Sequence, residues 1–292
     1  MMAGVVPPQT AMAQESPVMH KLRTTGVISL GYRASSPPFS YVDAQLQPIG
    51  FTVALCLKVV DALRQLPGLA TLQVRPVPVT SATRLPLVAN GTVDLECGIT
   101  TNNAERQRQV NFSTTIFVAE SRVLSKRGAV YSSLDELRGQ PVVSTIGTTS
   151  IQYLQAQNRQ RGLGMKILGG VDDVESFRIV DSGRAVAFAM DDVILHSLLA
   201  TAANPGQYVV SPQSLSVEPY GIGLSRQDPG FKRLVDEVIV GLFRSGEFAA
   251  LYKRWFEGPI PPNGVNLKLP MSPALKRLTQ QPNDSPDPAQ YR

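Results

Sequence analysis

The chain has 292 residues, of which 43% are hydrophobic and 17% charged, a composition typical of a globular protein that buries a sizeable core. No stretch approaches the ~20 apolar residues that a membrane-spanning helix needs. The formal net charge is +5, but the Lys and Arg residues are scattered singly and form no block interleaved with aromatic residues. We therefore expect a solvated basic surface and no nucleic-acid partner.

Residues 1–20 are expected to lie outside the folded domain. Ala11-Met12-Ala13, before Gln14, has the small-x-small pattern of a signal-peptidase site. The charged n-region and long apolar h-region of a complete signal peptide are missing from this stretch. Two alternatives stay open: a signal-peptide remnant, or an unstructured N-terminus.

From residue 21 onward the hydrophobic pattern alternates between strand and helix periods. A short apolar run at 27–31 predicts a strand, and residues 51–66 repeat apolar side chains at helical spacing. The next predicted elements are a strand at 72–77, a short helix at 84–90 and a strand at 93–97. Strands separated by helices of this length predict βαβ units and a mainly parallel sheet.

A second set of comparable units begins after Phe117. The predicted elements are helices at 134–138, from 148 onward, at 174–181 and at 192–200, and strands at 141–146, 165–168 and 185–189. Residues 231–242 and 248–256 then form two periodic helical faces. The final stretch, QQPNDSPDPAQYR, has the composition of a disordered tail. The whole pattern predicts two α/β lobes.

The cysteines and histidines restrict the chemistry. Cys56 and Cys97 fit no zinc motif, and they either form one disulfide in an oxidising compartment or remain two buried thiols. His20 and His196 are the only histidines, so a His-based metal site or a Ser-His-Asp triad is not expected. We predict no metal site, no cofactor and no catalytic residue.

Polar clusters follow the predicted strands, where ligands bind in open α/β sheets. Each residue alone has a structural explanation: Ser81 could cap a helix, as could Asp191, and Arg106 could pair with Glu105 or Glu120. Together the clusters predict a cleft between the lobes. Its candidate residues in the first set are Arg33, Ser81, Arg84, Thr101 and Arg106, and in the second set Thr149 and Asp191.

This inventory favours a small zwitterionic ligand. An arginine guanidinium matches a carboxylate bidentately, and backbone N–H groups at a helix start also favour an anion. Asp191 complements an ammonium group. An amino acid satisfies this set, whereas a nucleotide is not expected because neither a P-loop nor a GxGxxG motif is present.

Several long runs carry a resemblance to a known family. GYRASSPPFSY, VTSATRLPL, NGTVDLECGITTNNAERQ, IGTTS, SFRIVDSGRAVAFAMDD and WFEGPIPP resemble the periplasmic amino-acid-binding proteins of ABC importers, and most of all their glutamate/aspartate-binding branch. The similarity runs from about residue 22 to 273. It implies an α/β clamshell of two lobes, each a mainly parallel sheet flanked by helices, joined by two hinge strands near 117–121 and 217–221.

The resemblance also implies a division of the chain and a set of partners. Lobe 1 would comprise residues 21–118 and 220–273, lobe 2 would comprise 119–219, and 274–292 would be a partly disordered tail. The protein would be a periplasmic monomer that binds an amino acid and delivers it to a membrane ABC permease.

Carried over by position, the resemblance assigns roles to the cleft residues. Arg106 and Thr101 would hold the ligand α-carboxylate, and Asp191 would take the α-ammonium. The pocket for the ligand side chain would be lined by Arg33, Ser81 and Arg84, with Thr149 from the second lobe.

The sequence departs from the branch at two cleft positions and at one cysteine. Ile99 replaces a serine near the α-ammonium, and Asp173 replaces a histidine that faces the ligand side chain. An ionised Asp173 would repel a second ligand carboxylate, which raises glutamine and asparagine as candidates beside glutamate and aspartate. Ile222 stands where the family has the cysteine partner of Cys97, so Cys56 is an alternative partner.

A second function class stays open beside the binding protein. Periplasmic dehydratases of the cyclohexadienyl type resemble these proteins in fold, and such a lyase needs a general acid or base in the cleft. Asp173 is a candidate for that role. The α-amino-acid cradle favours the binding protein, so we do not expect an enzyme.

Overall fold

The computed structural model describes residues 16–292, so the expected signal-peptidase site at 11–13 lies outside the described residues. The elements up to the first hinge strand are α1 Pro17–Thr25, β1 Val27–Tyr32, β2 Ser35–Ser36, β3 Ser40–Val42, β4 Pro48–Ile49, α2 Phe51–Arg64, β5 Gln73–Pro78, α3 Arg84–Ala89, β6 Leu95–Glu96 and β7 Val110–Phe112. The next elements are β8 Phe117–Lys126, β9 Pro141–Thr145, α4 Thr149–Arg161, β10 Lys166–Gly170, α5 Asp173–Asp181, β11 Ala187–Asp191, α6 Asp192–Thr201, β12 Tyr208–Val210 and β13 Ser216–Tyr220. The last are β14 Gly223–Ser225, α7 Pro229–Ser245, α8 Glu247–Tyr252 and α9 Pro273–Gln280.

Two sheets form the centres of two lobes, as the sequence predicts. The first has the strand order β5-β1-β6-β14-β7, with β5, β1 and β6 parallel and β14 antiparallel to both of its neighbours. The second has the order β10-β9-β11-β8-β12, with β10, β9 and β11 parallel. In both sheets the parallel strands point their carboxyl ends to one edge, and the loops after them build the site.

The hinge consists of two antiparallel strands. β8 pairs with β13 from Ser121 opposite Ser216 to Phe117 opposite Tyr220. Aromatic rings pack around this crossing: Phe39 lies 4.9 Å from Phe117 and 5.5 Å from Tyr220, measured between ring centroids, and 5.2 Å from Phe256. Large buried rings at this point give the hinge a rigid apolar base, since aromatic pairs add packing energy beyond burial alone.

The ends of the chain differ from the sequence expectation. α1 begins at Pro17, where the Ser16 hydroxyl accepts from the Met19 N–H and donates to Asp228. The tail expected to be partly disordered from 274 contains α9 and ends in a 3-10 turn, Pro288–Tyr291. Leu275, Leu278 and Tyr291 are buried in the main core. A few apolar anchors thus hold a segment whose average composition is polar and proline-rich. The division of the remaining chain between the lobes stays a prediction.

Cys56 on α2 and Cys97 after β6 form a disulfide, which decides between the two alternatives that the sequence left open. Both residues are fully buried. The bond ties the main helix of lobe 1 to the strand that leads into ECGITTNNAERQ. Among the described residues, no helix has the length and apolarity to span a membrane.

Reduction should destabilise the protein substantially. The bond closes a loop with a sequence separation of 41, for which the chain-entropy argument gives roughly 2–4 kcal/mol of unfolding free energy. Urea unfolding with and without dithiothreitol measures this, and a Cys56→Ser/Cys97→Ser variant should be insensitive to the reductant. An unchanged wild-type midpoint under full reduction would contradict the stabilising role.

Candidate functional site

The predicted site residues converge where loops from the two sheets meet. Arg33 follows β1, and its Nη1 donates to the Ser81 hydroxyl at 2.7 Å, although the two residues lie on different loops. From lobe 2, Thr149 opens α4, Asp173 opens α5 and Asp191 ends β11. Thr149 is partly exposed, and the other predicted site residues are buried.

Arg106 is held by the backbone and side chains of the loop that precedes it. Its Nη1 donates to the Thr101 carbonyl at 2.9 Å, and its backbone N–H donates to Asn103 Oδ1 at 2.9 Å. Burial lowers the pKa of Arg106 from its usual value. Glu105 and Glu120 were the alternative partners for Arg106, but in the part of the chain that the structure describes neither forms an ion pair with it. Glu120 pairs with Arg122 instead.

Arg84 is buried with its guanidinium incompletely paired. Its Nη1 donates to the Ile99 carbonyl at 2.7 Å, and Nε has no hydrogen-bond partner among the described residues. Burial, together with the neighbouring charge of Arg106, lowers the pKa of Arg84 to about 9, which still leaves it protonated at neutral pH. Ile99 therefore contributes its carbonyl group to the site, a role its side chain did not indicate.

Asp173 connects the two lobes. Its Oδ1 accepts from the Thr145 hydroxyl at 2.7 Å, and its Oδ2 accepts from the Ser36 hydroxyl at 3.3 Å. The Arg33 Nη2 lies 3.9 Å from the same Oδ2. The carboxylate is thus fully buried and compensated by protein groups from both lobes. That Asp173 faces a ligand side chain stays a prediction.

Asp191 presents one free carboxylate oxygen. The Tyr220 hydroxyl donates to its Oδ2, while Oδ1 has no partner among the described residues. Asp191 occupies the N-cap position of α6, as the structural explanation expected, but its side chain makes no capping hydrogen bond. Burial raises the pKa of Asp191 well above its usual value, and the nearby charge of Glu218 raises it further.

Thr149 reaches a residue that sequence reasoning missed. Its hydroxyl donates to Glu218 Oε2 at 2.8 Å, and Glu218 is buried on β13. The helix cap itself is Thr148, whose hydroxyl accepts from the Ile151 N–H at 3.2 Å. The hydroxyl of Thr149 is thus engaged by the protein, and its backbone N–H lies in the first turn of α4, where anions are favoured.

Glu96 is a second missed residue. It is fully buried, its Oε2 accepts from the Thr100 hydroxyl at 2.6 Å, and its Oε1 has no partner among the described residues. Its charge acts on both Arg84 and Arg106. The sequence did contain a signal for Glu96 and Glu218, since each carboxylate stands inside a strand, in LEC and in SVEPY. A buried carboxylate needs a partner, because unpaired charges are rarely buried.

The lobes are closed on each other at the site. The Arg106 Nη2 donates across the cleft to the Gly147 carbonyl at 3.3 Å. Gly147 has φ +81°, and a Cβ placed on it would lie 2.6 Å from the Ala82 nitrogen and 2.7 Å from the Ser81 carbonyl carbon. Only glycine fits this position, because both the backbone conformation and the contact exclude a side chain.

Chemically, the site can bind an ion with two negative groups and one positive group. Among the described residues, neither Arg84 nor Arg106 has a carboxylate within ion-pair distance, whereas Arg33 lies near Asp173. Asp191 offers the free oxygen for a cation. The described residues contain no group of three or more His, Cys, Asp or Glu side chains suited to a metal ion.

A two-lobe α/β fold with a polar cleft at its hinge defines the clamshell class of solute-binding proteins. The chain belongs to the bacterial extracellular solute-binding proteins, family 3, which match residues 28–258. It is 47% identical over 267 residues to the L-glutamate/L-aspartate-binding protein of Pseudomonas aeruginosa, covering 91% of this chain and 88% of that protein. It is 40% identical to the glutamate/aspartate import solute-binding protein of Escherichia coli, covering 97% and 93%.

Among solved structures, the ancestral amino acid-binding protein AncCDT-1, a precursor of cyclohexadienyl dehydratase, superimposes with a TM-score of 0.69. The sequence identity is 25%, and the match covers 82% of this chain and 99% of that one. The fold predicted from the sequence, and the resemblance to the glutamate/aspartate-binding branch, are confirmed.

Asp191→Asn should stabilise the ligand-free protein increasingly as pH rises. The folded-state pKa of Asp191 is raised, so between the unfolded value of about 3.9 and the folded value the folded state binds more protons. The unfolding free energy of the wild type therefore falls with pH over that window relative to the variant, whose amide still offers Tyr220 an acceptor. Urea unfolding of both proteins from pH 4 to 8 measures the difference. A difference independent of pH would contradict the raised pKa.

Proposed function

We propose that the protein is a periplasmic receptor that captures glutamate or aspartate between its lobes and delivers it to a membrane ABC permease. The relatives named for these two amino acids support the ligand class, since they are similar over nearly the whole chain. The disulfide between Cys56 and Cys97 supports an oxidising compartment. A monomer is the proposed state of the free receptor.

The observation that carries the proposal is a set of buried charged groups in the cleft that lack partners of opposite charge. Arg84 and Arg106 are buried without carboxylate partners among the described residues, and Asp191 has one free oxygen. An acidic amino acid supplies two carboxylates and one ammonium. Arg106 would bind the α-carboxylate, Asp191 the α-ammonium and Arg84 the side-chain carboxylate, with charge-assisted hydrogen bonds at each point.

The partners of Asp173 and Arg84 also bear on whether the ligand is an acidic amino acid or its amide. The sequence argument for glutamine and asparagine was repulsion between Asp173 and a ligand carboxylate. Arg33, Ser36 and Thr145 already compensate the Asp173 carboxylate. Arg84 then stays available for a second ligand carboxylate, so we propose that the acids bind more tightly than the amides.

Binding without turnover is the proposed activity. The likeness to a precursor of cyclohexadienyl dehydratase keeps the lyase as the alternative on this fold, although that structure is itself described as an amino acid-binding protein. Asp173, the candidate acid or base, is fully buried and hydrogen-bonded on both oxygens. A group so engaged is poorly placed to move a proton to or from a ligand.

Calorimetric titration with glutamate, aspartate, glutamine and asparagine tests the proposal. We expect saturable binding at one site per chain. Glutamate and aspartate should both bind more tightly than glutamine and asparagine. Proton NMR of each mixture after prolonged incubation should show the amino acid unchanged. The absence of binding by both acids, or the appearance of product, would overturn the proposed function.

Arg106→Ala should lower the affinity for every amino-acid ligand by a similar factor, because all of these ligands share the α-carboxylate. Removing one partner of a buried charge pair costs on the order of 2–5 kcal/mol, or roughly 30-fold to several-thousand-fold in Kd. Arg108→Ala is the matched control, since Arg108 lies in the same short turn and is exposed. An Arg106→Ala variant within a few-fold of the wild-type affinity would show that the carboxylate binds elsewhere.

Gly147→Ala should prevent full closure and weaken binding. Hinge closure predicts a smaller radius of gyration by small-angle scattering when the wild type is saturated with glutamate. The added methyl group would meet the Ser81–Ala82 backbone, so the variant should stay more open at the same occupancy. Gly183→Ala is the control, because Gly183 has φ +76° with no atom within 4 Å of an added Cβ. If saturating glutamate reduced the radius of gyration equally in Gly147→Ala and in the wild type, the contact between Gly147 and the Ser81–Ala82 backbone would not limit closure.

A further inference from the structure

Residues 281–292, termed here the C-terminal strap, lie beyond the family match, which ends at residue 258. The strap packs across the hinge rather than extending into solvent. The Thr115 N–H, two residues before β8, donates to the Asn283 carbonyl at 2.9 Å. The final turn, Pro288–Tyr291, lies against the second hinge strand β13. The strap is therefore part of the hinge.

The Tyr291 hydroxyl closes the strap onto the hinge. Tyr291 is 4% exposed, and its oxygen lies 2.8 Å from the Thr115 hydroxyl, from Asn283 Oδ1 and from the Ser285 carbonyl. A phenol carries one proton, so the Thr115 hydroxyl donates to it and it donates to one of the two strap acceptors. This fixes the turn that contains Asp284.

Asp284 is the point where the strap reaches the ligand site. Its carbonyl accepts from Asn102 Nδ2 at 2.8 Å, and Asn102 is fully buried. Asn102 Oδ1 in turn accepts from Gln107 Nε2 at 2.9 Å, and its backbone N–H donates to the Pro219 carbonyl on β13 at 2.7 Å. Through these bonds Asn102 connects the strap and a hinge strand to the loop 101–106.

The loop 101–106 is the one that aims Arg106. The residues on either side of Asn102 make the two local bonds to Arg106, through the Thr101 carbonyl and Asn103 Oδ1. Movement of Asn102 would therefore move both supports of the guanidinium. A binding group gains most affinity when its supports are fixed before the ligand arrives.

We propose that the C-terminal strap is a positioning element of the ligand site, which holds Asn102 through Asp284 and so fixes the loop that aims Arg106. The consequence for affinity rests on the proposed function, in which Arg106 binds the ligand α-carboxylate. Asn102 and Tyr291 are positioning residues that act through Arg106.

Two variants test the strap with two readouts. Asn102→Leu keeps the side-chain size and removes the side-chain bonds to Asp284 and Gln107. Tyr291→Phe removes the hydroxyl at the hinge and leaves the bond between Asn102 and Gln107 in place. Hydrogen exchange of peptides that cover residues 98–107 should be faster in both variants. In each variant the affinities for glutamate and aspartate should fall by a similar factor, about 3- to 10-fold for Tyr291→Phe and at least as much for Asn102→Leu, which loses two side-chain bonds. Leu163→Ala, in the separate lobe 2 cluster, should lower the unfolding temperature and change neither readout.

A double variant separates positioning from general destabilisation. In an Arg106→Lys background, Asn102→Leu should cost less affinity than in the wild type, because the group that it positions is already altered. Unchanged exchange at 98–107, unchanged affinity or full additivity would each overturn the proposal. If the wild type bound neither glutamate nor aspartate, the proposed function would fail, and the exchange measurement would still decide whether the strap fixes the loop.

Discussion

Charged groups buried between the lobes without a complete set of partners are the constraint on which the rest of the structure depends. Arg84 Nε, Asp191 Oδ1 and Glu96 Oε1 lack partners among the described residues. Leaving such groups buried and unpaired costs free energy, more for charged groups than for neutral ones. On the proposed function, a ligand that supplies the opposite charges offsets this cost in the closed site. The same offset would give the cleft its specificity and couple binding to closure.

The scaffold around the cleft supplies the rigidity that this arrangement needs. The disulfide fixes α2 to the strand before the Arg106 loop, and the rings of Phe39, Phe117 and Tyr220 pack at the hinge. Within residues 16–292, few direct bonds cross the cleft, and they include Ser36 to Asp173 and Arg106 to Gly147. A hinge with a rigid base and a lightly bonded cleft can open and close at small cost, as capture and release of a ligand require.

The sequence predicted the alternation of strands and helices well because apolar periodicity reports burial directly. It also placed polar clusters after the parallel strands of both sheets, where the structure brings them together, while their role in binding stays a prediction. It missed Glu96 and Glu218, whose charges stand inside strands and acquire meaning only once their neighbours in space are known. It also misjudged the C-terminal strap, because a few buried anchors such as Tyr291 outweigh the polar average of the segment.

A crystal structure of the protein with bound glutamate tests the central claim most directly. The α-carboxylate should accept from Arg106, the α-ammonium should donate to Asp191 Oδ1, and the side-chain carboxylate should accept from Arg84 Nε, with the lobes closed at Gly147. A ligand carboxylate that avoids both Arg84 and Arg106, or a glutamate bound outside the cleft between the lobes, would contradict the claim.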